Sequence, residues 1–292
     1  MKKILCILLA LVTMLSVTVP VYAEGNPCRT VIGADLNEEQ IEAVYGMFGV
    51  RRGDVVELRV TNAEERQTLQ GYVDESVIGT RSISCVYVEL LPENSGLEVT
   101  TGNVSWCTSQ MYISALATAG ITDARIVVAA PFEVSGTAAL TGIYKAYEDM
   151  TGQKMDDSAK QAGTQELTTT GELANEIGST DSTSIVNDLK QILDETQNMS
   201  DEEIRQEIVQ IAERYNVRLT ETQIRQLIDL CRTMEGLSPD ELRQRVEDVQ
   251  ETLHKVSEAK DKVVGFAETV KKVIDSITDF FDRVSAVLDK FK

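Results

Sequence analysis

ARIVVAA at residues 124–130, running into PFEVSGTAALTG at 131–142, decides the fold class. An apolar run of this length, broken only by Arg125, reads as a central strand buried on both faces of a sheet. The turn residues that follow lead into a helix over about Gly136 to Met150. A buried strand feeding a helix requires neighbouring strands, and the upstream sequence supplies them.

Thr30 to Gly33 is a short strand. Asn37-Glu38-Glu39-Gln40 has the form of a capping box, in which the first and fourth side chains satisfy orphan backbone donors at a helix start. That helix reaches about Phe48. Asp54 to Val60 alternates as a strand, and Thr61-Asn62-Ala63-Glu64 opens a second capped helix to about Gly71. Ser82 to Leu91 and Leu97 to Val104 are strands separated by Pro92-Glu93-Asn94-Ser95-Gly96, so they read as a hairpin. Met111 to Ala119 is helical and stops at Gly120. The order β-α-β-α-β-β-α-β-α predicts an α+β domain over residues 24–150, with a mixed sheet of about five strands and helices packed on it.

Downstream there is no convincing strand. Residues 151–183 are rich in Thr, Gly and Ser, and read as a helical connector with short pieces such as Gly171 to Ile177. Residues 184–292 read as a helical region. Three similar starts mark it: Ser200 to Glu203, Thr220 to Gln223 and Ser238 to Glu241, the last with Pro239 at the first helical position. Helices this close together are too short to persist alone and must pack on one another. From Leu242 to Phe291 apolar residues recur at 3–4 spacing, and Phe266, Val273, Phe280 and Val287 widen the stripe beyond a coiled-coil seam. This long C-terminal amphipathic helix is expected to pack on its own chain, on a protein partner or on a second copy. Lys271, Lys272, Lys290 and Lys292 also suit peripheral contact with an anionic membrane.

Met1-Lys2-Lys3, the apolar stretch Ile4 to Val19 and the small-x-small site Val21-Tyr22-Ala23 have the layout of a secretory signal peptide over residues 1–23. The chain is therefore expected to be secreted or associated with the cell envelope after cleavage near Ala23. Four cysteines remain: Cys28, Cys85, Cys107 and Cys231. Cys85 and Cys107 flank the expected hairpin and are the best candidate disulfide, against the reading of four ordinary buried thiols.

The chain has 292 residues, with Asp and Glu numbering 47 against 28 Lys and Arg. A surface this acidic repels phosphate backbones, so nucleic-acid binding is not expected. The single histidine, His254, lies on the expected long helix, far in sequence from any candidate nucleophile, which argues against His-based catalysis. No zinc motif, P-loop, nucleophile elbow or calcium loop occurs, so no cofactor, metal or catalytic residue is assigned. The most site-like stretch is Ser135-Gly136-Thr137, small residues at a helix start where backbone N–H groups and the helix dipole favour an anionic group. The plainer reading has Ser135 capping the helix and Gly136 permitting close packing. A carboxylate-only hydrolase would require two facing acids in a cleft, one with a raised pKa.

Several stretches resemble a known family: Gly33-Ala-Asp35-Leu36, Val60-Thr-Asn62-Ala-Glu-Glu65, Ile78-Gly79-Thr-Arg81-Ser-Ile-Ser84, and above all Thr118 to Arg125 through Ala130 to Gly142. They are similar to the YpuA-like secreted proteins of Gram-positive bacteria, domain-of-unknown-function family 1002. The resemblance extends over nearly the whole mature chain, including Gln165 to Leu173. It implies export and a shared architecture, and it carries no catalytic or binding residues. The expected function is a non-enzymatic cell-envelope or extracellular interaction protein. The alternatives are a small-ligand module using residues 135–137 and a carboxylate-only hydrolase.

Overall fold

The computed structural model describes residues 27–72, 78–238, 241–245 and 247. The signal-peptide segment, Pro239 and the stripe beyond 247 lie outside the described residues.

The fold is α+β. Five strands, β1 (Cys28–Gly33), β2 (Val56–Val60), β3 (Cys85–Leu90), β4 (Leu97–Val104) and β5 (Ala124–Val134), form one mixed sheet in the order β2-β1-β3-β5-β4. β1 runs parallel to β2, and β5 runs parallel to β4. β3 is antiparallel to both of its neighbours, β1 and β5. The expected hairpin does not form. β5 inserts between β3 and β4, so that Leu97 pairs with Ala124 and Ala124 with Leu90. The Pro92–Gly96 turn does reverse the chain, with Asn94 and Gly96 at positive φ. It nevertheless carries the chain across two strand spacings, about 10 Å, rather than one. The reason lies in the side chains. β3 and β5 are the most apolar strands and take inner positions, whereas β4 alternates buried Leu97 and Val99 with exposed Glu98 and Thr100, a pattern suited to an edge.

Helix α1 (Glu38–Phe48) covers one face of the sheet. Its Ile41, Val44, Tyr45 and Phe48 pack on Ile32, Cys85, Tyr87 and Ala129. α3 (Ser109–Thr118) and α4 (Ala139–Thr151) cover the other face, on Val31, Val86, Val88, Ile126 and Val128. α2 (Asn62–Leu69) follows β2. The capping boxes at Asn37/Gln40 and Thr61/Glu64 are formed as read. α3 ends in a Schellman motif: Ile121 N–H donates to Leu116 O and Gly120 N–H to Ala117 O. Gly120 sits at φ +89, the left-handed region that this motif requires.

The described chain beyond α4 is helical: α5 (Asp157–Ile177), α6 (Ser179–Gln191), the short α7 (Leu193–Thr196), α8 (Asp201–Arg214) and α9 (Glu221–Met234). Ser200 and Thr220 cap α8 and α9 as expected. The Thr/Gly/Ser-rich stretch 151–183 is helical as expected, with one long helix in place of short pieces. Its centre is α5, one helix of 21 residues buried along much of its length. It packs against α3 on the sheet side and against α6 and α9 on the other. Two of its threonines tolerate burial because their hydroxyls turn back on the helix: Thr164 Oγ1 donates to Lys160 O at 2.7 Å and Thr168 Oγ1 to Gln165 O at 2.9 Å. Its glycines permit close approach. A Cβ at Gly163 would lie 2.6 Å from Ala115 O, and one at Gly171 would lie 2.6 Å from the Trp106 ring. Leu242, where the C-terminal apolar stripe begins, is buried in the core of these helices with Ile204, Leu227 and Cys231.

Candidate functional site

Three helices build a polar cleft of about 610 Å³ beside the sheet. α2 contributes Glu64, Gln67 and Thr68, one face of a helix at 3–4 spacing, with Tyr72 just beyond it. α4 presents Thr141, Tyr144, Lys145 and Glu148 with the same periodicity. α5 presents Asp157, Lys160, Gln161 and Thr164. Each helix thus turns a largely polar face to the shared cleft.

The charges in the cleft are paired. Lys145 Nζ donates to Glu64 Oε1 at 2.5 Å and to Arg59 O at 2.6 Å. Lys160 Nζ lies 3.0 Å from both Glu148 Oε1 and Asp157 Oδ1. Burial alone would raise the Glu64 carboxyl, but the Lys145 and Thr61 hydrogen bonds outweigh it and hold the pKa below the usual range. Burial would lower Lys160, and its two carboxylates outweigh that and raise it. On the cleft wall Thr141 is 7% exposed, and its buried Oγ1 has no hydrogen-bond partner. Such an orphan hydroxyl is costly unless something fills its bonding capacity.

A second cluster lies at the carboxyl ends of the parallel strands β1 and β2. Ser82 N–H donates to Asp35 Oδ2 at 2.7 Å. Ser82 Oγ is 2.7 Å from Val60 O and 2.6 Å from Glu65 Oε1. A hydroxyl has one proton, and a carbonyl can only accept. The Val60 carbonyl and the Glu65 carboxyl therefore compete for the single Ser82 proton. Burial pushes the Glu65 carboxyl up to about 7, with Asp35 and Glu64 adding to the rise and Ser82 and Asn62 opposing it. Asp35 and Glu65 thus converge on one serine, as a carboxylate-only site would require. Glu65, however, is fully enclosed at 0% exposure.

A third cluster is buried between the two halves of the chain. Lys190 Nζ contacts Glu166 Oε1 at 2.6 Å, Ser114 Oγ at 2.9 Å and Ser114 O at 3.2 Å. Thr118 Oγ1 donates to Glu166 Oε2 at 2.5 Å. Burial lowers the Lys190 pKa, and the Glu166 carboxylate opposes the shift. All three ammonium protons find acceptors, so the pair is satisfied where it stands.

Ser135, Gly136 and Thr137 form a packing junction. The Ser135 carbonyl accepts from Cys107 N–H, and the Gly136 carbonyl accepts from Tyr112 OH at 2.5 Å. A Cβ at Gly136 would fall 2.5 Å from Val104 Cγ1 and 2.7 Å from Tyr112 OH. Thr137 is buried, and no side chain caps α4. Cys85 and Cys107 are free thiols in separate cores on opposite faces of the sheet, because β3, which carries Cys85, does not pair with the strand leading to Cys107. Burial pushes both thiols, and that of Cys231, up to about 12. Among the described residues no group of His, Cys, Asp or Glu side chains could hold a metal ion, and no helix is long and apolar enough to cross a membrane.

The stretches 33–36, 60–65 and 78–84, distant in sequence, meet around Ser82. Residues 32–256 match the family described as "Protein of unknown function (DUF1002)". The chain belongs to the DUF1002 family. A relative, "Uncharacterized protein YpuA" of Bacillus subtilis (strain 168), is 36% identical over 302 residues, with 100% of both chains covered. No solved structure matches the chain. The match to DUF1002 spans the sheet, the cleft and the helices up to α9, so the family's shared unit includes both sides of α5.

Sequence reasoning did not find the cleft. The available signal was the polar 3–4 spacing at 64/67/68, 141/144/145/148 and 157/160/161/164. Each stripe taken alone is indistinguishable from an ordinary solvated helix face.

Proposed function

We propose that this DUF1002 protein is an exported, non-enzymatic binding protein of the cell envelope or the extracellular space. The observation that carries the reading is where its unusual acid–base groups lie. Glu65, Glu166, Lys190 and the Cys85, Cys107 and Cys231 thiols are all buried, and the charged ones are bonded within the fold. Groups that cannot touch a substrate cannot act on it, whereas the charges lining the open cleft, Glu64, Lys145, Glu148, Asp157 and Lys160, are already paired. The leader-like residues 1–23 support export. In the sequence, the 3–4 spacing of apolar residues from Val263 to Phe291 supports engagement of a protein partner or a second copy through this segment. Fractionation of expressing cells, with N-terminal sequencing of the recovered protein, tests this. A chain beginning at Glu24 in the wall, membrane-surface or culture fraction is expected. An uncleaved chain in the cytoplasm, or purified protein that turns over a defined metabolite, would contradict it.

A further inference from the structure

We propose that the cleft between α2, α4 and α5 is a binding site for a neutral polyhydroxylated ligand, a saccharide of one or two rings. The cleft volume of about 610 Å³ lies within the range of small-ligand sites. The chemistry of the wall selects the class. Glu64, Glu148 and Asp157 outnumber Lys145 and Lys160, so an anion meets net negative charge. A cation would have to compete with ammonium groups already seated on those carboxylates. An apolar guest would strip water from five charges and return nothing.

A sugar fits without breaking any pair. Each lysine ammonium has three protons, and Lys145 and Lys160 each spend two on protein partners. One donor on each therefore remains beside a carboxylate that still has free lone pairs. A vicinal diol is the complement of such a pair: one hydroxyl accepts from the ammonium while its neighbour donates to the carboxylate. Thr141 Oγ1, buried on the same wall without a partner, supplies both a donor and an acceptor to a third hydroxyl. The Gln67 and Gln161 amides stand exposed on the rim, and the half-buried Tyr72 ring offers a flat face to a pyranose.

The full chain is titrated with glucose, N-acetylglucosamine and their β-1,4-linked disaccharides, and amide chemical shifts are followed. Phosphate and putrescine are the charged controls. Saturable shifts at millimolar or lower sugar, centred on residues 141–148 and 160–164, are expected, with no saturation by either control. Thr141→Val keeps the shape of the side chain and removes the orphan hydroxyl, so thermal stability should not fall while sugar affinity drops about tenfold. Response to a monosaccharide and a disaccharide alike places a single ring in the cleft; response to the disaccharide alone extends the site over two. Saturation by phosphate or putrescine in place of sugar, shifts centred elsewhere, no response to any of the four sugars, or a Thr141→Val protein with unchanged affinity would each overturn the proposal.

Discussion

Lys190 Nζ lies 2.6 Å from Glu166 Oε1, with the two side chains 0% and 1% exposed. The pair joins α6 to α5, and through Ser114 it reaches α3 on the sheet. A buried charge pair contributes little against its desolvation cost, but removing one partner strands the other. Lys190→Met should therefore lower unfolding free energy by about 3–5 kcal/mol in denaturant titration. Adding Glu166→Leu should recover at least half of that loss, because the stranded carboxylate is gone. A single mutant as stable as the parent would show that the pair is not sealed.

Glu65 gives the fold a pH dependence with a definite sign. Its pKa stands near 7 in the folded protein, against 4.5 when unperturbed. Between those values the folded chain holds a proton that the unfolded chain has released. Unfolding free energy therefore falls as pH rises through this window, by about 1.4 kcal/mol per pH unit. The contribution is complete below the lower value and lost above the upper one. Glu65→Gln keeps an acceptor oxygen for Ser82 and cannot ionise. Its stability relative to the parent should improve steadily from pH 5 to about 7 and then level off, as measured by chemical denaturation across that range.

Gly163 faces the Ala115 carbonyl across the α3–α5 contact. In an exposed helix, Gly→Ala stabilises by about 1 kcal/mol. Here the added methyl meets a backbone oxygen at 2.6 Å, so Gly163→Ala should instead destabilise by about 1–3 kcal/mol. The melting temperature decides the sign, and a rise would show that α3 and α5 are not in close contact at this point.

The sheet was legible because its signals are local and redundant. The apolar run at 124–130, the boxes at Asn37 and Thr61 and the glycine at 120 each have a single structural meaning, and all agree. Strand pairing was not legible. The Pro92–Gly96 turn specifies a reversal of direction and nothing about which strand lies alongside, and β5 enters only after α3. Helix α5 was hidden by its composition. Thr164 and Thr168 are polar on paper, yet their hydroxyls are consumed by the helix's own carbonyls, a bond visible only once the helix exists. The cleft and the Lys190 cluster escaped for one reason: each is assembled from three helices whose individual polar positions look like ordinary solvent-facing ones.

The four cysteines provide a separate check. Cys85, Cys107 and Cys231 are buried free thiols with pKa near 12, so almost no thiolate is present at neutral pH. A thiol reagent should leave these three unmodified in the folded protein and label them fast in denaturant, as read by intact mass. A stable bridge between Cys85 and Cys107 would contradict the placement of the two residues on opposite faces of the sheet.

Carboxyl amidation of the folded protein, mapped residue by residue by mass spectrometry, bears most directly on the claim that the reactive interior is closed and only the surface engages partners. Exposed Asp35 and Asp157 should be modified under native conditions, while Glu65 and Glu166 stay intact until denaturant unfolds the chain. Amidation of Glu65 or Glu166 in the native protein, at a rate comparable with that of Asp157, would mean that solvent and substrate reach those groups, and the binding-protein account would give way to a catalytic one.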